Sequence, residues 1–348
     1  MKTIKRGVWI AAGALLLIAA VLLIAAARAP RVLQSQFQAE RWAGDGGGRF
    51  RQLACFLSPG AVLDREAVYT FRDKAARAVA AADTEEGADA VVSFCDAWSA
   101  AGSVKIAGAR GSFDAAALSV GGRFFDFHPM PLRSGGYLYE SDLMHDRVVL
   151  DEQLAWMLFG AQDVAGMTVQ IGEQEFLVAG VVAQPDDRFT RAVAEQTPTL
   201  YLDDENRALL GDAPALTYEV VLPDPVRGFA RGIVDETFGK LGAVVECTGR
   251  FSFAASLSRL GHLGQMGIDT RASVTPSWEN AAVVAENRVA FLRLGALACL
   301  LLPAAGAAVL LYRGVRAGKR SLRTGAQRAW SALLDRRDAR YERRRKTK

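Results

Sequence analysis

Residues 147–182 read RVVLDEQLAWMLFGAQDVAGMTVQIGEQEFLVAGVV, and this stretch decides the fold because several local rules agree along it. Residues 148–150 are apolar, as in a short buried strand, and Asp151 follows as a candidate helix N-cap whose carboxylate accepts free backbone N–H groups. A short helix is therefore predicted after Asp151, ending at Gly160, which tolerates a left-handed backbone. Its apolar face has spacings of three and four residues and comprises Leu154, Met157 and Leu158.

The hydrophobic period changes from helical to alternating at Thr168. From there apolar residues occupy alternate positions on both sides of Gly172, which predicts two antiparallel strands joined by a tight turn at Gly172-Glu173. The second strand ends in the sequence Gly180-Val181-Val182. The predicted order is therefore strand, capped helix and hairpin.

This order resembles the MacB-like extracytoplasmic core domain of ABC transporter permease subunits of the FtsX, LolC and MacB type. The resemblance covers residues 49–287 and describes a fold, with no catalytic residue in it. It implies a membrane subunit that transmits movement between a separate ATPase and the outside of the membrane. The residues that carry the resemblance are Leu150, Asp151, Glu152, Leu154, Ala155, Leu158, Phe159, Gly160, Gly166, Gly180, Val181, Trp278, Glu279 and Asn280.

Two apolar segments predict membrane crossings, at residues 7–27 and 289–312. The first is an uncharged run of 21 residues, long enough as a helix to span a hydrocarbon core of about 30 Å. Cations precede the first segment and follow the second, which places both termini in the cytoplasm of a two-pass protein of the cell membrane. Residues 1–6 are then the cytoplasmic N-terminus, and residues 28–288 are extracytoplasmic. The alternative is that the first segment is a cleaved signal peptide, since Ala25 and Ala27 offer a small-x-small site.

Charge is distributed unevenly along the chain. The net charge is +4; removing +11 for residues 313–348 and +3 for residues 1–6 leaves −10 for the region between them. The basic C-terminal tail is predicted to contact anionic membrane lipids, as an amphipathic surface helix. No aromatic platform accompanies these cations, so nucleic acid is not an expected partner.

The extracytoplasmic region contains two predicted strand–helix–strand units, which indicate an α+β fold. We expect a split ferredoxin-like lobe, built from residues 49–100 and 215–260, with a mainly β lobe of residues 101–214 inserted in it. Relative movement of the two lobes would then reach both crossings. The strands and helices of the two units are predicted at residues 49–57, 64–82 and 90–94, and at 217–222, 226–241 and 243–247.

The segment that leads into the second crossing is predicted to be helical. Residues 251–265 form a semi-apolar helix in this prediction, and residues 279–288 continue as helix into the membrane. A continuous helix would be a stiff coupling rod, whereas a break would leave a juxtamembrane linker. The sequence leaves both readings open.

No set of residues in the sequence indicates catalysis, a cofactor or a metal ion. The three histidines, His128, His145 and His262, lack the spacing of a helical zinc pair, and His128 is predicted to be a hydrogen-bonded turn residue. The acidic pairs at residues 186–187 and 203–205 lack the ligand spacing of a calcium loop and are predicted to be solvated turns. We therefore expect a protein that is not an enzyme.

Three cysteines fall in predicted extracytoplasmic strands. Three buried thiols, at Cys55, Cys95 and Cys247, are the favoured reading, because apolar strands accommodate free cysteine well. The alternative is one disulfide: the ferredoxin-like order would place the first and fourth strands side by side, which would favour the pairing of Cys55 with Cys247.

The expected function is that of a membrane subunit in an ABC system. The sequence has no nucleotide-binding motif, so the ATPase would be a separate protein. A full subunit of the resembled type has four crossings and this sequence predicts two, which favours a second permease subunit as a further partner. The alternative is a membrane-anchored extracytoplasmic interaction or sensor module without transport activity.

Overall fold

The computed structural model describes residues 2–44, 48–82, 94–193, 196–211, 215–262 and 275–346. The chain divides into two compact units. One consists of Met1–Ala25 with Leu292–Lys348, and the other is Ala26–Phe291.

The first unit contains the apolar parts of two long helices, α1 (Lys2–Arg28) and α8 (Ser277–Lys346). Both are long and apolar enough to cross a membrane, with candidate spans in Trp9–Val32 and within Ser277–Ser331. The first span overlaps the predicted segment 7–27 from Trp9 onward, and the second contains the predicted segment 289–312. α8 is one helix from the predicted juxtamembrane segment, residues 279–288, into the apolar run.

The second unit is built on a ten-stranded mixed sheet with the order β10-β1-β9-β2-β3-β8-β5-β7-β4, and β6 pairs with both β2 and β7. The strands are β1 (Phe50–Leu57), β2 (Cys95–Gly108), β3 (Gly111–Gly122), β4 (Leu132–Gly135), β5 (Arg147–Asp151), β6 (Thr168–Ile171), β7 (Gln174–Val182), β8 (Thr199–Asp203), β9 (Ala215–Pro223) and β10 (Gly242–Glu246). The helices of this unit are α2 (Gln38–Ala43), α3 (Arg65–Ala82), α4 (Phe124–Phe127), α5 (Glu152–Phe159), α6 (Phe229–Phe238) and α7 (Phe253–Gly261), together with the start of α8.

The long strand β2 runs through both of the predicted lobes. Its first half pairs with β9, its residues from Ala97 to Gly108 pair with β3, and its end pairs with β6. The long β2–β3 hairpin was not predicted from the sequence. The predicted strand at residues 90–94 lies outside the described residues except for Phe94, which precedes β2 and is not in a strand.

Alternating side chains divide the core between the two faces of the sheet. On β5, Val148 and Leu150 pack with α5, whereas Val149 packs on the opposite side. On β9, Val220 and Leu222 pack with α3 and α6, and Val221 lies opposite. The opposite side is covered by α4, by Ala39 of α2 and by Trp278 at the start of α8. The chain therefore enters and leaves the domain on this side of the sheet.

Most local predictions are confirmed. Asp151 caps α5, Gly160 ends it with φ 76°, and β6 and β7 form the hairpin around Gly172, whose φ is 62°. Helix α6 is shorter than the predicted 226–241, because Gly228 adopts φ 87° and the helix begins only at Phe229.

The cysteines in the described part of the domain are free, buried thiols. The strand neighbours were predicted correctly, since β1 pairs with β10, but the register places Cys55 opposite Val244. The backbone N–H of Cys247 instead donates to the carbonyl oxygen of Gln52, three residues away from Cys55 along β1. The disulfide between Cys55 and Cys247 is therefore wrong. Burial raises the pKa of Cys55 and of Cys95 to about 12.

Candidate coupling site

The residues that carry the family resemblance lie in two places, and in the first they shape the backbone around α5. Leu150 of β5 pairs with Val181 of β7, and both are fully buried. Leu154, Ala155 and Leu158 pack in the same core, with Phe159 beside them. Glu152 is the exception, because it lies at the surface and pairs with Arg133 at 3.0 Å.

Asp151 holds three elements together from one carboxylate. Its Oδ1 accepts the backbone N–H of Leu154 at 2.6 Å, and its Oδ2 accepts the N–H of Thr199 at 2.7 Å and the side-chain amide of Gln184. Burial raises the pKa of Asp151 to about 6, although these three donors favour the charged form. This carboxylate fixes α5 to the start of β8, which is a structural role.

Three glycines of the set are required by the backbone. Gly160 and Gly166 have φ values of 76° and 86°, where a side chain would be strained. Gly180 lies against the backbone of Gly136, so that a Cβ atom would clash with the carbonyl oxygen there.

The second place is the start of α8, where Glu279 meets a buried arginine. Arg250 donates from Nη2 and Nη1 to the two carboxylate oxygens of Glu279, both at 2.8 Å, and from Nε to Glu286 at 2.6 Å. Its Nη1 also donates to the side-chain oxygen of Gln36 at 2.7 Å. We call these four residues the Arg250 junction. It joins the segment after α1, the segment after β10 and the first turns of α8.

The Arg250 junction is almost completely removed from water. The side chains of Arg250 and Glu279 are each 5% exposed. Burial disfavours the charge of Arg250, but the coulombic effect of Glu279 and Glu286 outweighs it and raises the pKa of Arg250. Burial also raises the pKa of Glu279, against the opposing effect of Arg250. The guanidinium therefore compensates the buried carboxylate of Glu279 and the partly exposed carboxylate of Glu286 together.

A histidine–carboxylate pair lies beside the Arg250 junction. His128 is buried at the end of α4, and its Nε2 lies 2.5 Å from Oε2 of Glu219 on β9. The ring of Trp278 packs on His128 with the centroids 4.4 Å apart. The predicted hydrogen-bonded role of His128 is confirmed, but its partner is a buried carboxylate from a distant strand. Trp278 thereby fixes the start of α8 to the middle of the sheet.

The connector after α1 is fixed to the sheet by a second polar contact set. Gln52 on β1 accepts the backbone N–H of Gln38 at 2.9 Å and donates its amide to the carbonyl oxygen of Ser35 at 2.6 Å. The Gln52 side chain is fully buried, so these bonds form away from solvent. The connector is therefore anchored to β1 as well as to Arg250.

Asn280, the last residue of the resemblance, closes the turn that starts α8. Its Oδ1 accepts the hydroxyl of Thr275 at 2.9 Å, and its amide lies 3.4 Å from the carbonyl oxygen of the same residue. These contacts stabilise the start of the helix.

A second ionic cluster ties the inserted part of the chain to α3. Arg72 of α3 donates to both oxygens of Asp96 on β2, at 2.7 and 2.8 Å, and to both oxygens of Glu140 in the loop before β5. Tyr218 of β9 donates its hydroxyl to Asp96 at 2.7 Å. The pKa of Glu140 is lowered by its hydrogen bonds with Arg72. This cluster opposes movement between the parts of the sheet that it connects.

The remaining predicted polar residues have structural roles, but the prediction of a solvated turn at residues 203–205 is wrong. Asp203 is buried, and Asp204 accepts the indole N–H of Trp98 at 2.9 Å and the hydroxyl of Ser119 at 2.6 Å. Asp187 accepts N–H groups within its own turn, and Asp203 caps the helical turn that follows β8. Nδ1 of His145 lies 3.3 Å from Oδ1 of Asp203. Nδ1 of His262 lies 2.9 Å from the carbonyl oxygen of Ser258. Across the described segments, no group of three or more His, Cys, Asp or Glu side chains is arranged to hold a metal ion.

Sequence reasoning identified Glu279 and Trp278 but missed Arg250, Glu286 and Gln36. Each of these three is a single polar residue in an ordinary polar context, and the contacts between them span up to 214 positions of sequence. The one available signal was Arg250 itself, a cation directly before the apolar face of α7.

Comparison with solved structures gives several matches at low identity. The periplasmic region of MacB from Actinobacillus actinomycetemcomitans is 17% identical, with 61% of this chain and 92% of that chain covered and a TM-score of 0.41. The extracellular domain of the noncanonic ABC-type transporter YknZ from Gram-positive bacteria is 15% identical, with 57% and 99% covered and a TM-score of 0.36. A domain of a putative permease from Porphyromonas gingivalis is 16% identical, with 56% and 82% covered and a TM-score of 0.32.

The domain resembles the extracytoplasmic region of MacB-type permeases. No family model matches the chain, and no curated protein matches it.

Proposed function

We propose that this chain is a membrane subunit of an ABC transporter system, a permease component that transmits movement. The observation that carries the proposal is the Arg250 junction. One guanidinium binds the connector that follows the first candidate span and two carboxylates on the helix that contains the second. A displacement of either segment is therefore passed to the other and to β10, which directly precedes Arg250.

The two carboxylates on α8 make this connection stiff. Glu279 and Glu286 are seven residues apart, about two helical turns, and Arg250 binds both. Bidentate pairing between guanidinium and carboxylate fixes orientation as well as distance. Rotation of α8 about its own axis would break at least one of these bonds, so the domain has to follow the helix.

Within the domain, we propose a ferredoxin-like lobe of residues 49–100 and 215–260 with residues 101–214 inserted as a second lobe. The order β10-β1-β9-β2 with antiparallel neighbours supports the first lobe. Because β2 continues into the second lobe and Arg72 clamps the two, the lobes would move largely as one body. The sequence suggested instead that relative movement of the two lobes reaches both crossings.

The proposal places both termini in the cytoplasm and the domain outside the membrane. The partners would be a separate ATPase and a second, more complete permease subunit. The basic end of α8 would contact anionic lipid: residues 313–346 are helical, and their Lys and Arg residues follow directly on the apolar run.

Affinity purification in a mild detergent tests this function. The chain is tagged, purified from its native membrane, and the retained proteins are identified by mass spectrometry. We expect an ATPase with nucleotide-binding motifs and a second permease subunit in amounts comparable to the tagged chain. A matched control is the same preparation with the tag on an unrelated two-pass membrane protein. Recovery of the chain without either partner would overturn the proposal and favour a membrane-anchored sensor module.

A further inference from the structure

Helix α7 exposes apolar side chains and turns its charged side chain inward, which is the opposite of what is expected for a helix on the surface of a soluble domain. Its sequence, FAASLSRLG, contains one charged residue, Arg259. The residues that face outward recur at helical spacing and contain no charge. They are Phe253, Ala254, Leu257, Ser258 and Gly261. Phe253 is 50% exposed and Leu257 is 58% exposed.

The one charged side chain of α7 is turned inward, onto α8. Nε of Arg259 donates to Asn287 Oδ1 at 3.0 Å, and its Nη1 lies 3.4 Å from Glu286. Ser256, on the inward side, is buried. A helix that faced water would gain by the opposite arrangement, with the arginine in solvent and the leucine against the domain.

The contacts of Arg259 place α7 next to the beginning of the apolar run. Asn287 lies two residues before Val289, the first residue of the predicted crossing 289–312. Two residues of helix correspond to about 3 Å along the axis. The outward face of α7 is therefore presented at the depth where α8 would pass from water into lipid.

We propose that α7 is an interfacial helix that lies on the outer surface of the bilayer, with Leu257 and Phe253 inserted at the boundary between headgroups and acyl chains. Apolar burial drives the contact, since the face has no cation to attract anionic lipid. Through this helix the domain would contact the membrane surface close to the Arg250 junction. The inference rests on the proposed topology, in which α8 enters a bilayer and the domain lies outside it, and it is independent of the proposed ABC partners.

Spin labels at single cysteines test this in the full chain, reconstituted in lipid nanodiscs. The background is Cys299→Ala, in which the remaining three thiols are buried. The labelled variants are Leu257→Cys and Ser258→Cys on α7, and Leu143→Cys as a control at a side chain that is 96% exposed. Collision with oxygen, which concentrates in lipid, is compared with collision with a water-soluble nickel chelate.

We expect the ratio of oxygen to nickel collisions at the two α7 positions to exceed the ratio at position 143 several-fold in nanodiscs. Equal ratios at all three positions would show that α7 faces water and would overturn the proposal. Low collision with both reagents at position 257, together with a short distance between labels on two copies, would overturn it in favour of contact between two chains. Having two labelled positions on one face protects the test against the misfolding of either variant.

Discussion

Replacing Arg250 with methionine is the perturbation that most directly probes the Arg250 junction. Methionine keeps much of the volume but removes the guanidinium, which leaves Glu279 buried without its counter-charge and leaves Glu286 with Arg259, 3.4 Å away, as its remaining cation. Loss of one partner from a buried ion pair costs about 3–5 kcal/mol. Each kcal/mol lowers the melting temperature of a domain of this size by roughly 2–4 °C, so we expect a decrease of roughly 6–20 °C.

The assay is urea or thermal unfolding of the full chain in detergent, followed by tryptophan fluorescence. A matched control is Arg231→Met, whose pair with Asp235 is exposed, at 44% and 43% of the side chains, and should contribute about 0–1 kcal/mol. Adding Glu279→Gln to Arg250→Met should recover part of the loss. Equal effects of Arg250→Met and Arg231→Met would refute the reasoning that a buried charge network holds α8 to the domain.

Three further outcomes are expected. Burial raises the pKa of Asp151 from 3.8 in the unfolded chain to about 6 in the folded protein. Protonation of Asp151 therefore stabilises the folded state below about pH 4, and this stabilisation is lost as the pH rises through about 6. Relative to Asp151→Asn, the wild type should lose up to about 3 kcal/mol of unfolding free energy between pH 4 and pH 7. Gly180→Ala should destabilise the domain by several-fold more than Gly172→Ala, which adds only about 1 kcal/mol of backbone strain in open space, as measured by urea unfolding. In intact cells, a membrane-impermeant maleimide should label Leu143→Cys in the domain, and it should label Ala326→Cys near the C-terminus only after the cells are permeabilised. The reverse pattern would contradict the proposed topology, in which the domain lies outside the membrane and both termini lie in the cytoplasm.

The helix and hairpin at residues 147–182 were predictable because each element is specified locally. A cap at Asp151, a glycine at position 160 and a change from helical to alternating period are all properties of neighbouring residues. The same holds for the apolar face of α3, whose buried residues recur at helical spacing. In such segments the tertiary structure adds packing to a conformation that the chain already favours.

The continuous sheet and the Arg250 junction were not predictable for the opposite reason. The β2–β3 hairpin consists of small and polar residues such as Ser99, Ser103 and Ser119, so its alternation is weak, and its strands are defined by their partners. Arg250 looks like a surface residue until the fold brings Gln36 and Glu279 to it. Burial of a charge depends on compensation from distant positions, which no local pattern encodes.

Nucleotide-dependent hydrogen exchange in the purified assembly tests the central claim most directly. The assembly is held in lipid nanodiscs with ADP or with a non-hydrolysable ATP analogue, and backbone exchange is measured by mass spectrometry. We predict that exchange changes with the nucleotide in the segments around Gln36, Arg250 and Glu279, while the central strands stay protected. Identical exchange in both states throughout Ala26–Phe291 would contradict the account that this domain receives movement from the membrane.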